Sequence, residues 1–253
     1  MTLYRYIKKR VTFKHKLLAG LSYGLIIIGS LFLFWSFYPV ISYEIYSYLF
    51  IQKKIFSPLP SQTQALSHIK AQSIIKNQNV FSTNLVNYTK AAAWFPSLEK
   101  RGNNNNNLFT TKEYTLSIPK LNIEFARVIV GGEDLSEAMV QYQPKILPGE
   151  YGVASIFCHS THPSLYNPNG KNRYKSICTY LPTLGEGDLI LVNINNIDYT
   201  YEVFGKFEVK PNEVGVLDQK LDDAYLNVIT CVPVGQTARR LIVQARLKNI
   251  GQE

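Results

Sequence analysis

Residues 17–38 read LLAGLSYGLIIIGSLFLFWSFY, a 22-residue run without a charged side chain. About 20 apolar residues in a helix cross the hydrocarbon layer of a bilayer. Inside that layer a helix is imposed, because hydrocarbon offers main-chain N–H and C=O groups no other partner. The two flanks differ sharply. Residues 1–16 hold Arg5, Lys8, Lys9, Arg10, Lys14 and Lys16 and no acid, so six of the formal +9 lie there and the rest of the chain carries only +3. By the positive-inside bias, 1–16 is a cytoplasmic tail, 17–38 a transmembrane signal anchor, and everything after Tyr38 lies outside the cytoplasm. Trp35, Tyr38 and Tyr43 suit the far interface. A cleaved signal peptide has a shorter apolar region and a small-residue cleavage site, and neither is evident. The same distribution argues against a nucleic-acid partner, since most of the excess charge flanks a membrane segment.

At 253 residues the chain has room for one domain of about 130 to 150 residues beyond such an anchor. Residues 39–112 read as a stalk or linker. Val40 to Lys54 either prolongs the helix or lies along the membrane, SPLP (57–60) breaks the chain, and 61–75 has weak helical character. The five asparagines Asn103 to Asn107 form a low-complexity boundary. From 113 to 253 the texture changes to short strands: Tyr114–Ile118 and Ile123–Val130 around Pro119-Lys120, then Leu189–Ile194 and Asp198–Phe207 around Asn195-Asn196. Asp134 is placed to cap a short helix, Leu135–Met139. Tyr174–Tyr180 reads as one or two helical turns, Pro163–Arg173 as a surface loop, and Pro211–Tyr225 as a long connection. Seven or eight strands at this density predict a mainly β domain, a small closed or nearly closed barrel.

The chemistry gathers at Leu226 to Leu247, LNVITCVPVGQTARRLIVQARL. A strand-like run ends on Cys231, Pro233 and Gly235 break the chain, and Arg240 to Leu247 alternates. Leu241, Val243, Ala245 and Leu247 fall on one face, with Arg240, Ile242, Gln244 and Arg246 on a more polar one, as in a half-buried antiparallel strand. Hairpin pairing brings the thiol beside a guanidinium nine residues later. A thiol attacks as thiolate, and a permanent cation nearby can hold the charge that develops on a carbonyl oxygen during acyl transfer. An imidazole is needed to carry protons.

Four histidines are available. His15 lies among lysines before the apolar run, and His68 sits in a polar segment. His159 closes the strand-like YGVASIFCH, where Val153, Ser155, Phe157 and His159 share a face, and is the better candidate. His162, three residues on, reads as a surface or substrate-contacting residue. Among the three cysteines, the odd count leaves at least one thiol free, and the motif points to Cys231. Cys158 alternates away from His159 and reads as a small core residue, while a bridge to Cys178 stays open. No CxxC or HxxxH spacing and no carboxylate cluster calls for a metal, and no cofactor motif is present.

These positions resemble the sortases, membrane-anchored cysteine transpeptidases of bacterial cell surfaces. The TLxTC-type strand end reads NVITC, the arginine before an apolar strand is Arg240 in RRL, and the upstream histidine is His159 in FCH. LSIPKLNIEFARVIVGG resembles the first two barrel strands, LPGEYGVASIFCHST the approach to the histidine, and residues 181–217 the central hairpin. Cys158 stands where many sortases have glycine, and Asn227 and Val228 where threonine and leucine are common; these bear on subclass and substrate. No second apolar segment follows residue 38, which weighs against the pilus-building subclass.

The resemblance implies an eight-stranded β-barrel with His159, Cys231 and Arg240 as catalytic residues. It implies that secreted proteins with a C-terminal sorting signal are cleaved through a thioester on Cys231, then joined to an amine of a cell-wall precursor or a pilin lysine. An L,D-transpeptidase would need a SHGC-type motif, which is absent, and nothing resembles the cysteine-opening helix of papain-like proteases. The alternative is a catalytically inactive, membrane-anchored barrel that binds or scaffolds, which a thiol-reactive substrate mimic would leave unlabelled at Cys231.

Overall fold

The computed structural model describes residues 13–51, 89–95, 110–142 and 144–252. The basic tail to Thr12, the 57–60 and 61–75 readings, the asparagine run and His68 lie outside the described residues. The chain divides into two compact units, Met1–Phe50 and Ile51–Glu253. The first holds a single helix, α1 (Phe13–Phe50). Its stretch His15–Tyr38 has a mean hydropathy of 2.2, long and apolar enough for a membrane span. Leucines, isoleucines and aromatics from Leu17 to Tyr38 are exposed around its circumference, as lipid contact requires. The stretch after Tyr38 prolongs the helix as far as Phe50.

The second unit is a closed eight-stranded barrel with short 3-10 turns. Its strands are β1 (Glu113–Ile118), β2 (Ile123–Val130), β3 (Met139–Gln141), β4 (Gly152–Phe157), β5 (Leu189–Ile194), β6 (Ile197–Val209), β7 (Ala224–Val232) and β8 (Arg239–Gln252). Around the barrel they run β1-β2-β3-β4-β7-β8-β6-β5. Two neighbouring pairs, β2–β3 and β4–β7, are parallel. Alternation explains the walls: Tyr114, Leu116 and Ile118 of β1 and Ile190, Val192 and Ile194 of β5 are buried, while Leu189 and Leu191 face out. Asn195 and Asn196 have φ of 52° and 64° and close the β5–β6 hairpin at Ile194↔Ile197, the left-handed pair a two-residue turn needs.

The expected helix at Leu135–Met139 does not form. The Asp134 carboxylate accepts the Ser136 N–H at 2.8 Å, but the Leu135 N–H is taken by the Thr89 carbonyl at 2.9 Å. Met139 then enters β3, buried between β2 and β4, where the ladder satisfies its main chain. The helical turns expected over Tyr174–Tyr180 are 3-10 turns at Arg173–Lys175 and Leu181–Thr183 on either side of Cys178.

The polar face expected for β8 is polar only in its second half. Arg240 and Ile242 are as buried as Leu241 and Val243. The cause lies within the stretch read as a stalk: Ala91–Trp94 forms a 3-10 turn, and Ala91, Trp94 and Phe95 pack in one buried cluster with Phe157, Ile229, Cys231 and Ile242. Ala91 N–H donates to the Glu133 carbonyl at 2.8 Å and Lys90 bridges Asp134, which fastens this segment to the β2–β3 connection. With a barrel core on one face and an aromatic cover on the other, β4 and β7 are buried on both sides.

Candidate active site

Cys231 and Arg240 face each other directly across the β7–β8 ladder, so both side chains project from the same face. β4 runs parallel to β7 in the register Ser155↔Asn227 and Phe157↔Ile229. Carried two residues further, that register sets His159 alongside Cys231, again on the shared face. Main-chain bonds extend the alignment past the end of the strand. Cys158 N–H donates to the Ile229 carbonyl at 3.0 Å, and Ser160 Oγ to the Cys231 carbonyl at 2.6 Å. By this register all three sequence-predicted site residues lie on the outer face of one barrel wall, at its β4–β7–β8 end.

Cys231 lies within β7, not at its tip, because β7 continues to Val232. Its side of the barrel is closed over: Cys231 is 5 % exposed and Arg240 3 %. The cover is Trp94. Its indole meets the His159 ring edge-on at 5.6 Å and Phe157 at 5.8 Å, and the Arg240 guanidinium lies over it at 5.5 Å. Arg240 Nε donates to the Trp94 carbonyl at 3.2 Å, and Nη1 donates to the carbonyls of Thr237 at 2.8 Å and Arg239 at 3.2 Å. The guanidinium is thus held by its own hairpin, with its fork turned to a main-chain carbonyl.

Burial under the indole sets the charge states. It lowers the His159 imidazole to about 4, against the opposing pull of the Asp134 carboxylate. It pushes the Cys231 thiol up to about 11, against the Arg240 cation. Nε2 of His159 is buried without a hydrogen-bond partner among the described residues. In this covered form both groups are neutral at physiological pH, a resting arrangement rather than a thiolate–imidazolium pair.

A pH dependence of stability follows. A histidine lowered on folding stabilises fully above its unfolded value of about 6.5, and that contribution is lost as pH falls toward about 4. A thiol raised on folding stabilises below about 8.5, and its contribution is lost as pH rises toward about 11. The melting temperature of the full chain is therefore expected to sit on a plateau between these limits. His159→Gln is expected to flatten the acid limb and leave the alkaline one. An acid limb equally steep in the variant would assign it to other groups.

His162 is exposed, with Nδ1 2.8 Å from Ser164 Oγ at the start of the turn Pro163–Leu165. Gly235, at φ +80°, backs onto its main chain: a Cβ there would sit 3.4 Å from the His162 nitrogen, so the β7–β8 loop flanks the histidine loop closely. Arg239 is on the opposite face from Arg240, its Nε 3.0 Å from the Glu208 carboxylate. Two contributors were not legible in the residues: Trp94, whose only signal is the compact AAAWF in a polar stretch, and the Cys158–Cys178 disulfide, which replaces the expected small core thiol. Cys231 is the free cysteine.

No curated protein matches the chain. Among solved structures it is similar to a sortase D5 transpeptidase of Clostridium perfringens, at 24% identity over 55% of this chain and 79% of that one, with a TM-score of 0.45. It is similar to sortase C1 of Streptococcus agalactiae at 26% identity over 56% and 70%, TM-score 0.47. Sortase A of Listeria monocytogenes matches at 18% identity over 55% and 89%, TM-score 0.47. The family model for the sortase domain matches residues 116–248, from within β1 to within β8. That match covers more than half of the chain and takes in His159, Cys231 and Arg240 alike: the chain belongs to the sortase family of transpeptidases.

Proposed function

We propose that this sortase-type enzyme cleaves a C-terminal sorting signal of secreted proteins through a thioester on Cys231 and passes the acyl group to an amine. The observation that carries the reading is the convergence of thiol, imidazole and guanidinium through two strand registers. His159 takes the thiol proton as Cys231 Sγ attacks the scissile carbonyl carbon, and the charge collects on the oxygen, which Arg240 stabilises. As the C–N bond breaks, His159 delivers a proton to the leaving amine. An incoming amine, from a cell-wall precursor or a pilin lysine, attacks the thioester; His159 removes its proton and the thiol is released. Arg240 already donates to three main-chain carbonyls, those of Trp94, Thr237 and Arg239, which supports its assignment to a substrate carbonyl. In this reading α1 anchors the chain with its basic tail in the cytoplasm and residues 113–253 act outside, together with the docked segment 89–95.

A pentapeptide library incubated with the full chain in detergent tests this. The expected product is a peptide-sized mass increment on Cys231 that disappears when an amine such as triglycine is added. Arg240→Lys keeps the charge but loses the planar fork, and kcat/KM on the selected peptide is expected to fall by roughly 10²–10³-fold. Activity within threefold of the parent would remove Arg240 from oxyanion stabilisation.

A further inference from the structure

His159 lies beyond the end of β4, whose single pairing with β3 is Val140↔Phe157. On that side no ladder holds its main chain. The turn segment from Ser176 to Tyr180, between two 3-10 turns, takes over instead. Cys178 is disulfide-bonded to Cys158, the residue before the histidine, with the Cα atoms 5.8 Å apart. The Cys178 N–H donates to the His159 carbonyl at 2.9 Å. Thr179 Oγ1 accepts the Thr161 N–H at 3.1 Å and donates to the Thr161 carbonyl at 3.2 Å. The segment is a firm abutment: Ile177, Cys178 and Leu181 are fully buried. Facing it, Thr230 Oγ1 donates to the Cys158 carbonyl at 2.8 Å, so the histidine turn is clamped between the abutment and the cysteine strand.

We propose that the Cys158–Cys178 disulfide is a positioning element of the transfer reaction, fixing the main chain at His159 so that the imidazole reaches Cys231, and that its reduction makes the enzyme slow without unfolding it. Cys158 projects from the opposite side of β4 to His159, so the bridge constrains the histidine while its sulfurs stay out of the site. A bond at this position sets a catalytic angle more than it closes the barrel, which is already complete through its ladders. An extracytoplasmic location is one in which a disulfide persists. The inference rests on the reading of His159 as proton carrier, and one readout below is independent of turnover.

The test compares the full chain in detergent in three forms: oxidised, reduced with a water-soluble phosphine that is then removed, and the double variant Cys158→Ala/Cys178→Ala. In the reduction the phosphine becomes phosphine oxide with oxygen from water, and two electrons and two protons convert the bridge to two thiols. On the best peptide of the library, kcat is expected to fall about 10- to 100-fold in the reduced form and the double variant, with KM within about twofold. Far-UV circular dichroism is expected to be unchanged. The His159 ring resonance of ¹³C-histidine protein, assigned by its loss in His159→Ala, is expected to shift or broaden. Reoxidation restores the parent and does nothing to the double variant, which excludes an effect at Cys231. An unaltered kcat with an unaltered ring resonance overturns the proposal. So does a collapse of the dichroism, which would make the bridge a global staple. If the oxidised chain turns over no peptide, the transpeptidase reading fails, while the ring resonance still decides the positioning claim.

Discussion

Cys231→Ala is expected to abolish acyl-enzyme formation altogether, with peptide cleavage falling by on the order of 10³-fold or more. Cys231 is the free thiol among the described residues. Cys158 and Cys178 are spent in their disulfide, and Ser160, the nearest hydroxyl along the histidine turn, donates to the Cys231 carbonyl at 2.6 Å. The loss should be chemical rather than structural. Cys231 is a small side chain in a strand paired on both sides, and its truncation costs the fold only about 1 kcal/mol. Intact-mass analysis after incubation with the selected peptide reads the adduct, and thermal unfolding controls for the fold. Undiminished cleavage by the alanine variant would end the assignment of this thiol, and with it the mechanism.

Trp94→Ala is expected to act in two directions at once. Trp94 is 1 % exposed and touches Phe157, His159 and Arg240, so its loss should lower stability by about 3–5 kcal/mol. The same change uncovers the site. Water readmitted to this wall relaxes the Cys231 thiol from about 11 toward its ordinary range, which raises the thiolate fraction at neutral pH. The rate of alkylation by iodoacetamide should rise accordingly, while Trp94→Phe, which keeps an aromatic cover, stays close to the parent. An alkylation rate in Trp94→Ala equal to the parent would show that the indole does not gate the thiol. The pair of measurements separates a packing residue from a cover: packing alone moves the melting temperature, whereas a cover moves thiol reactivity as well.

How much of this was visible beforehand depended on the distance over which each feature is decided. Strand alternation is local, so β1, β2, β5, β6 and β7 could be read from side chains two apart, and the Asn195-Asn196 turn from residues that tolerate positive φ. β3 could not: three residues carry too little periodicity, and its main-chain partners come from β2 and β4. The helix expected at Leu135–Met139 had a capping residue, but its end is drawn into β3 by the ladders to β2 and β4. The outer face of β8 read as polar from Arg240 and Gln244, yet a cation can lie buried when carbonyls and aromatic faces receive it, as Thr237, Arg239 and Trp94 do.

Residue order alone determined that a thiol and a guanidinium nine positions apart would meet, because a hairpin is a short-range object whose register its own turn sets. It also determined a helix long and apolar enough to cross a membrane, whose length and composition need no folded partner. Only the tertiary structure decided that the strand leading to His159 pairs with the cysteine strand, that a disulfide joins the residue before the histidine to Cys178, and that Trp94 lies against His159 and Arg240. Each of those contacts joins segments 20 to 146 residues apart. Their geometry comes from barrel closure and the parallel β4–β7 pairing, and neither leaves a periodic trace in the segments it brings together.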